Sequence, residues 1–79
     1  MPGKLTQDIS IGQNLQKARR KAKLTQDQVS AQLQVRGYNV SREMLSQMER
    51  GLYNIRVSIL VQLADIYHIE IQEFFRDIS

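Results

Sequence analysis

Apolar residues recur at helical spacing along nearly the whole chain. Ile11, Leu15, Ala18 and Ala22 are separated by 4, 3 and 4 positions, which lines them up on one side of a helix. Ser10 ahead of that stripe and Gln13 three positions on read as a capping box, and Lys21 and Lys23 suit the negative end of the helix dipole. The pattern predicts a first helix over Ile11–Ala22. Thr25 and Gln28 repeat the capping signature, with Asp27 between them in the first turn and Val29 and Leu33 facing inward. Gly37 is the first residue after them that takes a positive φ cheaply, so it closes the second helix. Ser41 caps a third helix with Leu45 and Met48 as its core residues, Met44 flanking them, and Gly51 as its stop. A fourth helix spans Val57–Tyr67, with Leu60, Leu63, Ala64 and Tyr67 inward, and Ile71, Phe74 and Phe75 predict a short fifth. No alternating run is long enough to predict a sheet. The expected fold class is all-α: five short helices in one bundle.

Composition narrows the chemistry. The chain has 79 residues, of which 42% are apolar, enough for one small domain. Residues 1–8 read as a flexible N-terminal arm, 9–75 as the domain and 76–79 as a tail. With no cysteine, a disulfide framework, a thiolate zinc site and a thiol nucleophile are all excluded. His68 is the single histidine, so a histidine metal cluster is excluded too, and a helix cap or surface position suits it better. Glu70 and Glu73 lie three apart but lack a third ligand and read as a solvated face. Nothing points to an enzyme or a cofactor. No apolar run approaches 18 residues and no secretory signal follows Met1, so the expected setting is the cytoplasm, without membrane association.

Charge is unevenly placed. Residues 1–40 carry seven bases against two acids, whereas residues 41–79 carry four bases against six acids. Five of the seven N-terminal bases fall within Lys17–Lys23. Such a cluster fits a polyanion, whether DNA, RNA or an anionic membrane, and it equally fits a solvated helix face.

Several segments together resemble the λ-repressor-like, Cro-type (Xre) helix-turn-helix family. They are Ile11-Gly12, then Leu15 and Arg19, then Leu24-Thr25-Gln26-Asp27-Gln28-Val29, then Val40-Ser41-Arg42, then Leu45-Ser46-Gln47-Met48-Glu49-Arg50-Gly51, and lastly Leu60, Leu63-Ala64 and Phe74. The resemblance implies that the helix starting at Ser41 enters the major groove of double-stranded DNA. Arg42, Glu43 and Gln47 then occupy base-reading positions, while Gln26, Ser41, Ser46, Arg50, Tyr53, Asn54 and Arg56 lie where family members touch the backbone. It further implies an ion pair between Arg19 and Glu49 that bridges the first helix to the end of the third. The major groove, about 12 Å wide, admits one α-helix, and arginine, glutamine and glutamate offer the hydrogen-bond patterns that guanine, adenine and cytosine require.

The chain departs from the family pattern between Leu33 and Ser41. Gln34 stands where a helix-ending glycine is usual, which predicts a second helix extended by about a turn and adds Arg36, Tyr38 and Asn39 as further backbone candidates. Ser30 replaces a small apolar residue and needs a hydrogen-bond partner if buried. The expected function is a sequence-specific transcriptional regulator of a bacterium, phage or mobile element, in simplest form a repressor. It is expected to act as a homodimer on a two-fold operator, with Ile69, Ile71, Phe75 and Ile78 as candidate dimer residues. The alternative is an antitoxin or anti-repressor module whose main partner is a protein.

Overall fold

The computed structural model describes Lys4–Leu5 and residues 11–77. Four α-helices follow one another: α1 (Gly12–Lys21), α2 (Gln26–Val35), α3 (Arg42–Glu49) and α4 (Val57–Tyr67). The predicted fifth helix is a 3-10 turn over Ile71–Phe75. Its five residues are too few for sustained i→i+4 bonding, and no side chain caps its start. A two-residue strand β1 (Lys4–Leu5) pairs antiparallel with β2 (Ile55–Arg56), Lys4 opposite Arg56 and Leu5 opposite Ile55. A strand of that length carries no alternation, so the sequence pattern does not reveal it.

The caps of α2 and α3 follow their sequence signals. The Thr25 hydroxyl accepts from the Gln28 backbone N–H at 3.1 Å, and the Thr25 N–H donates to Gln28 Oε1 at 2.8 Å. The Ser41 hydroxyl accepts from the Met44 N–H at 3.1 Å. In α1 the expectation fails by one residue. The cap position is Ile11, which has no side-chain bond to give, and Ser10 lies outside the described residues. Ile11 is 1% exposed, so burial of its side chain fixes the helix start.

All four α-helices end in the same way. After α2, the Gly37 N–H donates to the Gln34 carbonyl and the Tyr38 N–H to that of Leu33, the paired bonds of a Schellman motif. The same pair closes α1 at Lys23, α3 at Gly51 and α4 at His68. These four residues take positive φ: Gly37 92°, Gly51 76°, Lys23 61° and His68 57°. α2 ends at Val35, beyond Gln34 as the missing glycine predicted.

One core unites the elements. Leu15 of α1, Val29 and Leu33 of α2, Leu45 and Met48 of α3, Ile55, and Leu60 and Leu63 of α4 are all within 1% of full burial, together with Phe74. The 3-10 turn is anchored by Phe74, whose ring meets Tyr67 edge-on at 6.3 Å. From α1, Asn14 Nδ2 donates to the carbonyls of Phe74 at 2.9 Å and Arg76 at 2.7 Å, so the first helix fastens the last turn. Buried Ser30 has its required partner: its hydroxyl donates to the Val40 carbonyl at 2.7 Å.

The first turn of α1 abuts the end of α3 at Gly12. A methyl placed there meets the Glu49 carbonyl carbon at 2.8 Å, the Gly51 nitrogen at 2.9 Å, and the Glu49 carbonyl oxygen closer still. All three are backbone atoms that no rotamer change removes. Gly12→Ala is expected to destabilise the fold by about 2 kcal/mol, lowering Tm by roughly 10 °C. Thermal unfolding followed by circular dichroism measures it, and an unchanged Tm contradicts the close approach.

Candidate nucleic-acid interface

α3 has two chemically different sides. Leu45, Met48 and Glu49 are buried, whereas Arg42, Glu43, Gln47 and Arg50 are exposed and Ser46 is half-buried. At 100° per residue, positions 42, 43, 46, 47 and 50 fall within an arc of about 140°. All three candidate base readers therefore share one solvent-facing strip with Ser46 and Arg50. Ser41, half-buried, caps the helix through its hydroxyl oxygen. Beyond the turn at Gly51, Asn54 and Arg56 are exposed and Tyr53 is half-buried.

Glu49 stands behind this strip. As the last residue of α3 its carboxylate sits at the negative end of the helix dipole, an unfavourable place for an unpaired anion. Arg19 of α1 compensates with both prongs of its guanidinium: Nε donates to Glu49 Oε2 at 2.7 Å and Nη2 to Oε1 at 3.0 Å. The pair is well shielded, with side-chain exposures of 11% for Arg19 and 1% for Glu49. Nη1 donates to the Leu24 carbonyl at 3.0 Å, so the same guanidinium also holds the α1–α2 turn. The hydrogen bonds to Glu49 raise the Arg19 pKa above its ordinary value against the opposing effect of burial. Gln26 joins the network, its Nε2 donating to Glu49 Oε1 at 3.1 Å. This candidate for the DNA backbone thus braces α3, a contact that its position at the start of α2 does not announce.

Other expectations resolve differently. Arg19, one of the five bases within Lys17–Lys23, is turned inward; Lys17, Arg20, Lys21 and Lys23 remain exposed. Arg36 is committed to α4, donating to Gln62 Oε1 at 3.0 Å and Asp65 Oδ2 at 2.6 Å, and Gln62 in turn reaches the Tyr38 hydroxyl at 3.4 Å. The lengthened α2–α3 connection is therefore pinned to the fold through Arg36 and Tyr38. Asn39 is exposed. Of the candidate dimer residues, Ile69 and Ile71 pack against the core, Phe75 stays 38% exposed, and Ile78 lies outside the described residues. Sequence reading also passed over Asp27 as part of this surface: its carboxylate stands 3.9 Å from Arg42 Nε.

These features define a helix-turn-helix domain, with α2 and α3 as its two characteristic helices. Residues 15–74 match a family model described as helix-turn-helix, which covers more than half of the chain. The protein belongs to this family, the Xre and λ-repressor-like domains of DNA-binding transcription regulators. No curated protein matches the sequence closely. Among the described residues no helix is long and apolar enough to cross a membrane.

Two predictions follow from the buried network. Glu49→Gln leaves Arg19 without its anion and is expected to cost about 3 kcal/mol, whereas Glu43→Gln on the exposed strip stays within roughly 0.5 kcal/mol. Urea unfolding of both variants compares them directly, and equal midpoints contradict the bracing role. Tyr67 lies near the same pair with a buried hydroxyl that has no hydrogen-bond partner among the described residues. Burial, reinforced by the Glu49 carboxylate and opposed by Arg19, pushes its pKa well above the ordinary 10. The folded phenol stays protonated where the unfolded one ionises, so its effect is absent below pH about 10 and lowers stability as pH rises beyond it. Tyr67→Phe is expected to keep or raise stability at pH 7 by up to about 1 kcal/mol and to lessen the alkaline loss. A drop at pH 7 reveals a partner for the hydroxyl.

Proposed function

We propose that this protein is a sequence-specific regulator of transcription that inserts α3 into the major groove of double-stranded DNA. The observation that carries the reading is the two-sidedness of α3. One strip presents Arg42, Glu43 and Gln47 to solvent, while the opposite side is locked by Leu45, Met48 and the Arg19–Glu49 pair. With its side chains an α-helix is about 10–12 Å across, which matches a major groove about 12 Å wide. In this reading Arg42, Glu43 and Gln47 contact base edges. Gln26, Ser41, Ser46, Arg50, Tyr53, Asn54 and Arg56 contact the backbone, setting register without reading sequence. The exposed charges of Lys17, Arg20, Lys21 and Lys23 attract the polyanion over a longer range.

One such domain reads a half-site. Two copies bound about 34–36 Å apart on a two-fold operator supply the remaining affinity. The partly exposed Phe75 is the apolar residue of the C-terminal turn best placed to contribute to pairing. Occlusion of a promoter in the cytoplasm is the simplest regulatory outcome, because the reading helix alone suffices for it.

Selection from random duplexes followed by binding titrations tests this. Affinity for the selected site is expected to fall with salt at a slope of about −0.9 per phosphate neutralised. Arg42→Ala and Gln47→Ala are each expected to relax preference at one base position by roughly 1–3 kcal/mol, and Arg50→Ala to weaken all sequences alike. Base preference that survives both reader substitutions removes α3 from the role. Retention of a protein partner with no duplex bound at low salt favours an interaction module instead.

A further inference from the structure

Asp27 is the one side chain in the first turn of α2 that the fold does not employ. Thr25 and Gln28 are tied to each other in the capping box, and Gln26 is held by Glu49. Asp27 is exposed, and its carboxylate faces Arg42 across the helix pair, with Oδ1 3.9 Å from Nε. Both side chains keep most of their exposure, 79% for Asp27 and 56% for Arg42, so the pair adds little to stability. The backbone on each side is nevertheless fixed. Arg42 follows the Ser41 cap of α3, Asp27 sits inside the capping box of α2, and Gln26 and Glu49 join the two helices.

We propose that Asp27 is a positioning residue for Arg42: it draws the guanidinium by its Nε edge and leaves the two terminal nitrogens as a free fork for one base. The inference rests on the reading of α3 as the groove helix. An arginine at the first position of a helix stands at the positive end of the dipole and finds no attraction in its own backbone. Untethered, it has two classes of acceptor within reach of its long side chain, base edges and phosphates. Phosphates are the more numerous and carry full charge, and binding to them confers no sequence preference. A carboxylate at the Nε edge opposes that swing. It also reduces the rotamer freedom lost when the fork engages guanine O6 and N7, and its own charge repels nearby phosphates. All three effects favour the correct base over indiscriminate backbone binding.

The experiment compares Asp27→Ala, Arg42→Ala and the double variant, each confirmed folded by thermal unfolding, on the selected duplex, on duplexes altered at the position that Arg42 reads, and on a non-specific duplex. Arg42→Ala first locates that position. Asp27→Ala is expected to lower the preference there by roughly 2- to 10-fold, the range expected for releasing one restrained side chain, while non-specific binding holds or strengthens. Preference at the position read by Gln47 is expected to stay constant. In the Arg42→Ala background, Asp27→Ala should change the preference no further, and Asp27→Glu should recover part of it. If Arg42→Ala abolishes preference and Asp27→Ala leaves it intact, the positioning role is overturned and the reading of α3 stands. If Asp27→Ala lowers binding to every duplex equally, the positioning role is likewise overturned. If Arg42→Ala leaves every preference intact, the reading of α3 falls and this inference falls with it.

Discussion

The buried carboxylate of Glu49 is the constraint around which α3 and its exposed strip are organised. An anion at the end of a short helix and out of water is costly unless it is fully compensated, and compensation here comes from two side chains, one of which is itself anchored to a neighbouring turn. Arg19 brings two donors from α1, Gln26 brings one from α2, and the third edge of the same guanidinium reaches the Leu24 carbonyl in the turn between those helices. Satisfying one carboxylate thus fixes the placement of three helices at once. An apolar residue at position 49 would fill space but would hold neither Gln26 nor the α1–α2 turn. Hydrogen bonds have direction where dispersion has none, so the network defines the rotation of α3 about its own axis as well as its distance from the core.

The helix ends reinforce this. α3 is only eight residues long, too short to hold together on propensity alone, so its stability comes from what surrounds it. Ser41 satisfies an early N–H, the Schellman turn at Gly51 satisfies late carbonyls, and Gly12 lets the start of α1 press directly on the backbone at Glu49. The close approach at Gly12 and the ion pair at Arg19 lie two turns apart on α1, and they grip α3 from the same side. The lengthened connection before Ser41 is prevented from loosening the arrangement by Ser30, which bonds the Val40 carbonyl, and by Arg36, which reaches Asp65.

Much of this is legible in the sequence because the deciding interactions are local. Thr25 with Gln28, Ser41 with Met44, and the glycines at 37 and 51 act within a few residues of themselves, and their outcomes follow from backbone chemistry. The boundaries of α4 follow from its apolar stripe alone. The Arg19–Glu49 pair spans 30 residues and was legible only through family resemblance, since nothing in either residue names its partner. Contacts lacking both supports were not legible. Asn14 on the Phe74 and Arg76 carbonyls, Arg36 on Asp65, and Gln26 on Glu49 join distant segments through polar side chains that sequence patterns treat as solvent-facing. Lys23 and His68 close helices in the left-handed conformation without being glycine; the paired turn bonds, and the packing of the following Leu24 and Ile69 against the core, hold them there.

The two glutamates of α3 show how one helix serves two demands. Glu43 and Glu49 are six positions apart, which at 100° per residue turns their side chains about 120° from each other, enough to place one in solvent and the other in the core. Charge at position 49 is spent on orientation inside the protein and is already saturated with donors. Charge at position 43 is exposed, has no ion-pair partner among the described residues, and is available to an external donor. The same division separates Arg19 from Arg42, one guanidinium enclosed and bidentate, the other exposed with a single carboxylate at its Nε edge. Residues on the outer strip can therefore change identity without disturbing the network that fixes the helix. Residues on the inner side cannot, because each of them satisfies a partner on another element.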